Sequence, residues 1–391
     1  MERRERKLTA EDLRHWHLLK HFIKVLKPVA AKQALHPTFS DPRRTLGYAP
    51  YLSLFLFGLF NPVVESMRQL CAISELDRVQ RTTGCGKVSL GSFSETQQVL
   101  DPDLLKQVFE GLVEQMPPDA TAAAPFKHLE VILEDGSLWS ALPRMAWAEY
   151  GVGPKGQAKG VRLHLRFNLL KDCPEDALIT QGHGSETAAL REMLLPGQTN
   201  VGDRLYGRSY QLFKEIAQAG AFFVFRLSEQ AVVHWEQELP ISPADAQAGV
   251  VRQGWAHLGA TEKLHSIRLR LVEVQHEGHH LLLATNHSVE TLSAELVALL
   301  YRRRWSIELF FRWIKCVLGT RHFLAESPEG VAIQLYLALI ASLLLQLFTG
   351  QRPNKRVMEL LRYYFLGWAT AEELARLIPK YSAKAKTAKK S

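Results

Sequence analysis

The sequence predicts a mixed α/β protein: a helical first region, then a sheet-and-helix core interrupted by a strand-rich insertion. Three observations carry that prediction. Through about residue 120 the apolar residues recur at helical spacing. Beyond residue 128 they alternate instead, most clearly in VRLHLRFNLL at residues 161–170. From Ser293 helical spacing returns and persists for about seven turns.

Length and composition set the bounds. At roughly 150 residues per domain, 391 residues suggest two or three domains. The 47% apolar content supports a substantial core, and 23% charged residues is ordinary for a globular chain. A small stapled scaffold, a collagen-like repeat and wholesale disorder are excluded. Cys71, Cys85, Cys173 and Cys316 form no CxxC pair, so neither a disulfide framework nor a four-thiolate zinc site is indicated. The opening MERRERKLTAEDLRHW lacks the apolar stretch of a signal peptide. Tyr51–Phe60 is too short to span a bilayer, and Val331–Phe348 carries Gln334 and Gln346, which favours a buried helix. A cytoplasmic protein with no membrane partner is expected. The 48 Lys+Arg against 40 Asp+Glu leave a net charge of +8. RERK at residues 4–7, Arg302–Arg304 and the tail YSAKAKTAKKS concentrate it, which suits either a nucleic-acid partner or solvent-facing groups and a disordered tail.

Taken in order, Thr9 and Asp12 form a loose capping box, and Leu52–Leu59 reads as buried helix. Pro102 stands just inside the start of DLLKQVFEGLVEQM, and PPDATAAAP (117–125) reads as a linker. HLEVILEDGSLWSALP suggests a strand to Leu133, a turn around Asp135–Gly136 and a returning strand. In the alternating strand Val161, Leu163, Leu165, Phe167 and Leu169 point one way; Arg162, His164, Arg166 and Asn168 point the other, as in a half-buried strand. SETAALREMLL and SYQLFKEIAQA read as helices, the second stopped at Gly220, and AFFVFR as a short buried strand. SIRLRLVEVQ and HHLLLAT are strands joined through 276–278, and Ser293 caps one long helix running to about Gly319.

Two short motifs fail their structural tests. Gly151–Gly156 matches a dinucleotide fingerprint, yet a strand follows it where a helix is required, and Pro154 interrupts it. His276–His280 matches HExxH, but Gly278 in an expected hairpin breaks the helical spacing that a zinc mechanism needs.

One constellation survives. Tyr301, Arg304, Glu308 and Lys315 are spaced by three, four and seven residues, so on one helix they fall within an arc of about 60°. Arg312 projects onto the same stripe, while Ile307, Phe310, Phe311, Ile314 and Leu318 form an opposed apolar arc. The plain alternative is an amphipathic helix with a Glu308–Arg312 pair worth a few tenths of a kcal/mol, roughly. Asp135 and Asp203 each stand beside a strand or helix end, where either alone is most often a turn or cap residue. Three carboxylates from separate elements can instead converge to bind two divalent cations for phosphodiester cleavage.

The order of motifs is what decides. Tyr-x2-Arg-x3-Glu-x6-Lys within YRRRWSIELFFRWIK, ATN at Ala284–Asn286, DGS at Asp135–Ser137, DRLYG at Asp203–Gly207 and FFVFR at Phe222–Arg226 together resemble the IS4-type DDE transposases. The likeness covers about residues 128–350. It implies an α/β ribonuclease-H-like catalytic core with a β-rich insertion and a helical N-terminal domain. Residues 1–120 would bind DNA ends, 121–226 and 286–350 would form the core, 227–285 the insertion, and 351–391 a helical extension with a basic tail. It implies Asp135, Asp203 and Glu308 as catalytic ligands of two Mg2+ ions, for which Mn2+ can substitute. It also implies DNA contacts by Tyr301, Arg304, Arg312, Lys315 and Arg226. The implied activity is cleavage at transposon terminal inverted repeats and strand transfer to target DNA, hairpin intermediates being one route. A homodimer in the synaptic complex and a bacterial host, whose chromosomal or plasmid DNA is the substrate, are implied too. The competing expectation is a transposase-derived DNA-binding protein without catalysis. Two departures stand out: PGQTNVG precedes Asp203 where the family runs an apolar strand, and Glu134 is an extra acid expected to point away from Asp135.

Overall fold

The computed structural model describes residues 17–388 except 34, 62, 120–123, 143, 154–155, 260–267, 277, 321, 351 and 353. RERK, the Thr9–Asp12 capping box, part of the linker, Pro154, Glu277 and the last three residues lie outside the described residues. The helices are α1 (His17–Lys32), α2 (Tyr48–Phe60), α3 (Met67–Ile73), α4 (Asp77–Thr83), α5 (Leu90–Val99), α6 (Asp103–Val113), α7 (Glu186–Met193), α8 (Tyr210–Gln218), α9 (Pro243–Gln247), α10 (Ala294–Arg303), α11 (Trp305–Cys316), α12 (Pro328–Thr349), α13 (Lys355–Phe365) and α14 (Ala371–Ala388). The strands are β1 (Glu130–Ser140), β2 (Glu149–Gly153), β3 (Gly156–Asn168), β4 (Cys173–Gln181), β5 (Gln198–Gly202), β6 (Phe222–Arg226), β7 (Val233–Glu238), β8 (Val250–Leu258), β9 (Arg268–His276) and β10 (His279–Thr285). They form two compact units, each discontinuous in sequence.

The first unit comprises Met1–Pro117, Trp139–Gly160 and Phe311–Ser391. Its centre is α12, buried along nearly its whole length and packed on α1, α2, α5 and α6. That helix is long and apolar enough to cross a membrane, but 83% of its most apolar window is buried inside the protein. The glutamine that argued for burial is bonded there: Gln334 donates to the His322 carbonyl at 3.0 Å and accepts from the Leu324 amide at 2.8 Å. Pro102 stands at the cap of α6, one residue outside the first turn. Gly153 pairs with Gly156 in the β2–β3 hairpin, so a strand and not a helix follows Gly156.

The second unit comprises Pro118–Leu138 and Val161–Phe310. Its sheet runs β4-β3-β1-β5-β6-β10-β9-β8-β7. The centre is parallel, β1 to β5 and β5 to β6, with α7 and α8 supplying the crossovers. This parallel centre beside the antiparallel β3–β4 pair is a ribonuclease-H-like topology. The insertion does not fold away from it: β10 pairs antiparallel with β6, so β7–β10 continue the same sheet. His276 and His279 face each other across the β9–β10 hairpin, which excludes the helical zinc motif.

Three expectations are corrected here. Asp135–Gly136 is not a turn; β1 passes straight through it. The polar side of β3 is not solvated: Arg166, His164 and Asn168 are 1–3% exposed. The long helix is broken at Arg304, where amide bonds reach back three residues (Arg304 to Tyr301, 3.1 Å; Ile307 to Arg304, 3.2 Å).

His164 bonds the Thr180 hydroxyl at 2.9 Å and Asn168 donates to Glu175 at 3.2 Å, while Arg166 anchors a larger network. Arg166 donates to Glu134 Oε1 at 3.0 Å, to the Met193 carbonyl at 2.6 Å, and to Gln198 and Asn200. Gln198 also donates to Glu130 at 2.8 Å, and Asn200 to the Phe222 carbonyl at 3.0 Å. The hydrophilic run QTN is therefore a buried strand because its amides complete a network around one arginine. Glu134 does point away from Asp135, as alternation requires, and ends in that network.

Candidate active site

The site begins with strand register. Glu130–Leu133 pair in parallel with Gln198–Val201. Extending that register by two residues brings Asp135 level with Asp203, the residue just after β5 ends at Gly202. Asp203 turns its own backbone, accepting the Leu205 amide at 2.7 Å. The chain then closes on β6: a Cβ at Gly207 would lie 1.9 Å from the Arg226 carbonyl oxygen, so only glycine fits there. Tyr206 is buried by this approach and stacks on Phe225 at 5.5 Å.

Glu308 lies in the first turn of α11 and Arg304 at the helix break before it. Arg304 donates to Glu308 Oε1 at 2.5 Å and stands 3.9 Å from Asp135 Oδ2, its side chain only 14% exposed. Its guanidinium carbon is 5.7 Å from the Tyr301 ring centre. Burial works to lower the Arg304 pKa, but Tyr301, Glu308 and Asp135 together hold it above its usual value. Burial pushes the Tyr301 hydroxyl up, against the pull of Arg304 and Arg226. Arg226 sits at the end of β6, with an ion pair to Glu229 at 3.3 Å.

Asp135 is the most perturbed acid among these. Burial, reinforced by Glu186 and Asp203 and opposed by Arg304, raises it to about 7. The Gly136 amide donates to its Oδ1 at 2.8 Å. Glu186, at the start of α7, is not distinguished by the sequence, where SETAALREMLL reads only as a helix. It is 7% exposed and ion-paired with Arg162, whose Nε also donates to the Gly182 carbonyl at 3.2 Å. The sequence holds no plain signal for Glu186, because a turn at Asp135–Gly136 would by itself account for the glycine; only the extended path of β1 leaves that glycine needing another reason.

The second unit thus brings together Asp135, Asp203, Glu308, Tyr301, Arg304 and Arg226. Arg312 and Lys315 fall on the part of α11 that belongs to the first unit; Arg312 is exposed, and the Lys315 ammonium lies 4.2 Å from the Trp139 ring centre. As they stand, no three His, Cys, Asp or Glu side chains among the described residues are disposed to hold a metal ion. The donors nevertheless fit a hard divalent cation in kind, being carboxylate oxygens. The Arg304 guanidinium already places positive charge between two of them.

Comparison with known proteins agrees with this architecture. Residues 127–344, more than half the chain, match the family described as "Transposase DDE domain". The chain is 31% identical over 212 residues to y4zB, a candidate transposase of Sinorhizobium fredii, covering 53% of this chain and 58% of that protein. It is 30% identical over 105 residues to a candidate transposase for insertion sequence element IS4SA of Synechocystis, covering 25% of this chain and 31% of that one. The chain therefore spans 58% of the length of the first relative and 31% of the second. A cryo-EM structure of a piggyBac transposase synaptic complex with hairpin DNA aligns over 96% of this chain and 84% of its own, at 11% identity. The TM-score of that alignment is 0.39. Family membership implies possible divalent-metal use, and both relatives are bacterial. On the family match, the sheet order and the motif order together, the chain belongs to the DDE transposases of the IS4/IS5-like type.

Proposed function

We propose that this chain is a DNA transposase that cuts at the terminal inverted repeats of its element and transfers the freed strand, using Asp135, Asp203 and Glu308 as ligands for two Mg2+ ions, with Mn2+ able to substitute. The observation that carries the reading is Arg304, whose guanidinium joins Asp135 to Glu308 while Asp135 comes level with Asp203 on the neighbouring strand. Bound divalent cations would polarise the scissile phosphate and lower the pKa of an attacking water. The protein's own residues supply the rest. Arg304 carries a planar fork suited to a phosphate oxygen, and a phosphate arriving there would draw it off the two acids. Tyr301 offers a ring face and a hydroxyl beside it, and Arg226 a further cation at the end of β6. Arg312 and Lys315, on the first unit's part of α11, would each offer a cation to DNA phosphate. Residues 1–120 would recognise the terminal repeat, and 227–285 would assist DNA handling.

The freed 3′ hydroxyl would attack either the opposite strand, giving a hairpin, or target DNA. Two ends must be held together, so the working complex would be a homodimer on DNA. The test is incubation of the purified protein with Mg2+ and duplexes carrying the element's ends, followed by product mapping. The reading expects metal-dependent nicks at the repeat boundary, followed by hairpin or strand-transfer products. Tight repeat binding without any cleavage in Mg2+ or Mn2+ would replace it with a DNA-binding protein that keeps the fold alone.

A further inference from the structure

Glu186 has no part in the trio, yet its position is one of the most constrained in the second unit. A Cβ added at Gly136 would lie 2.9 Å from its Cγ, Cδ and Oε1, so the carboxyl group rests directly on the backbone next to Asp135. Gly136 is extended, and no positive φ explains the glycine. The carboxyl is what requires it. Arg162 fixes that carboxyl from the other side and is itself tied to the Gly182 carbonyl. The chain of contacts continues inward, since Glu186 packs on the Gly136 Cα and the amide of that same residue donates to Asp135 Oδ1. An acid that served only to open α7 would face water at small cost. This one is 7% exposed and lies among other acids, which costs stability unless something else depends on it.

We propose that Glu186 is a positioning residue of the metal site: clamped by Arg162 onto Gly136, it holds the Asp135 carboxylate through the Gly136 amide and adds negative charge that favours a divalent cation at Asp135 and Asp203. The proposal rests on the reading that those two aspartates bind metal. It makes the site depend on four acids from four elements, β1, the end of β5, α7 and α11, with Arg162 and Arg304 as its two internal cations.

The experiment is a calorimetric titration of the full chain with Mn2+ alone, without DNA, on wild type, D135N, E186Q and G136A. Circular dichroism and metal-free melting serve as folding controls. E186Q should fold and lose about tenfold in Mn2+ affinity, the scale on which outer partners of metal ligands act. G136A keeps every charge but pushes the carboxyl off its seat, and should weaken binding in the same direction. A helix-opening role alone would lower melting without moving Mn2+ affinity. If D135N loses Mn2+ while either folded variant binds it like wild type, Glu186 is only structural and the proposal falls. If D135N binds Mn2+ like wild type, the reading of the site falls first. Should E186Q not fold, G136A decides by the same titration.

Discussion

Glu134 and Asp135 are neighbours in one strand, and they stand in two regions built on opposite principles. On one face of β1, Glu134 meets Arg166, which also bonds Met193, Gln198 and Asn200, so that this buried ion pair sits in a bonded network. On the other, Asp135 gathers with Asp203, Glu186 and Glu308 around Arg304 and Arg162, and acids outnumber bases. The same strands produce both because alternation sends successive side chains to opposite faces. The first region fixes register, and the second is left short of positive charge where register brings two aspartates level. A saturated network stabilises; an unsaturated one is poised to take up cations or phosphate.

Mutations should separate the two. The largest effect belongs to the unsaturated region, where D135N or D203N should cut the cleavage rate at least about a thousandfold, equivalent to about 4 kcal/mol of lost transition-state stabilisation. Metal-free D135N should unfold no more easily than wild type, since it removes a buried charge that its neighbours repel. Chemical denaturation alongside product assays checks both halves. In the saturated region R166A should instead cost about 3–5 kcal/mol of stability, because it strands the Glu134 carboxylate in the interior. Equal denaturation midpoints for R166A and wild type would erase the distinction.

A third effect comes from acid. His287 is buried behind β5, stacked on Phe222 at 4.3 Å and bonded to Thr199 at 2.9 Å, and burial lowers its pKa to about 4. The unfolded chain takes up that proton near 6.5 and the folded chain only near 4. This contribution is whole above about 6.5 and is lost as pH falls toward 4, by about 3 kcal/mol at most. H287Q should flatten the acid limb of a stability–pH curve; an unchanged limb would assign it elsewhere, His164 being a second histidine lowered to about 4. The smallest effect is on DNA affinity. R304A should weaken end binding by about tenfold and reduce its salt dependence by about one released counterion. Affinity indifferent to salt in the wild type would count against phosphate contacts altogether.

Much of this was legible in the sequence, and the failures share a cause. Alternation and helical spacing located most of the elements, because each depends on residues a few positions apart. Motif order singles out Asp135, Asp203, Glu308, Arg304 and Tyr301, the residues proposed for the site. What escaped was burial of polar groups by distant partners: QTN looked unlike a core strand, and Arg162, His164 and Arg166 looked solvated. Glu186 looked like a helix opening because the glycine beneath it lies fifty residues earlier in the chain. The break at Arg304 was hidden as well, since no Gly or Pro marks it in YRRRWSI.

The central claim is that Glu308 is a ligand rather than a helix-surface acid paired with arginine. It is tested most directly by the cleavage rate of E308Q at saturating end DNA, with folding verified. Glutamine preserves length and helix propensity but removes the charge. The account predicts a folded protein that binds end DNA and cuts at least about a thousandfold more slowly in Mg2+. Cleavage near the wild-type rate would return Tyr301, Arg304, Glu308 and Lys315 to an ordinary amphipathic helix.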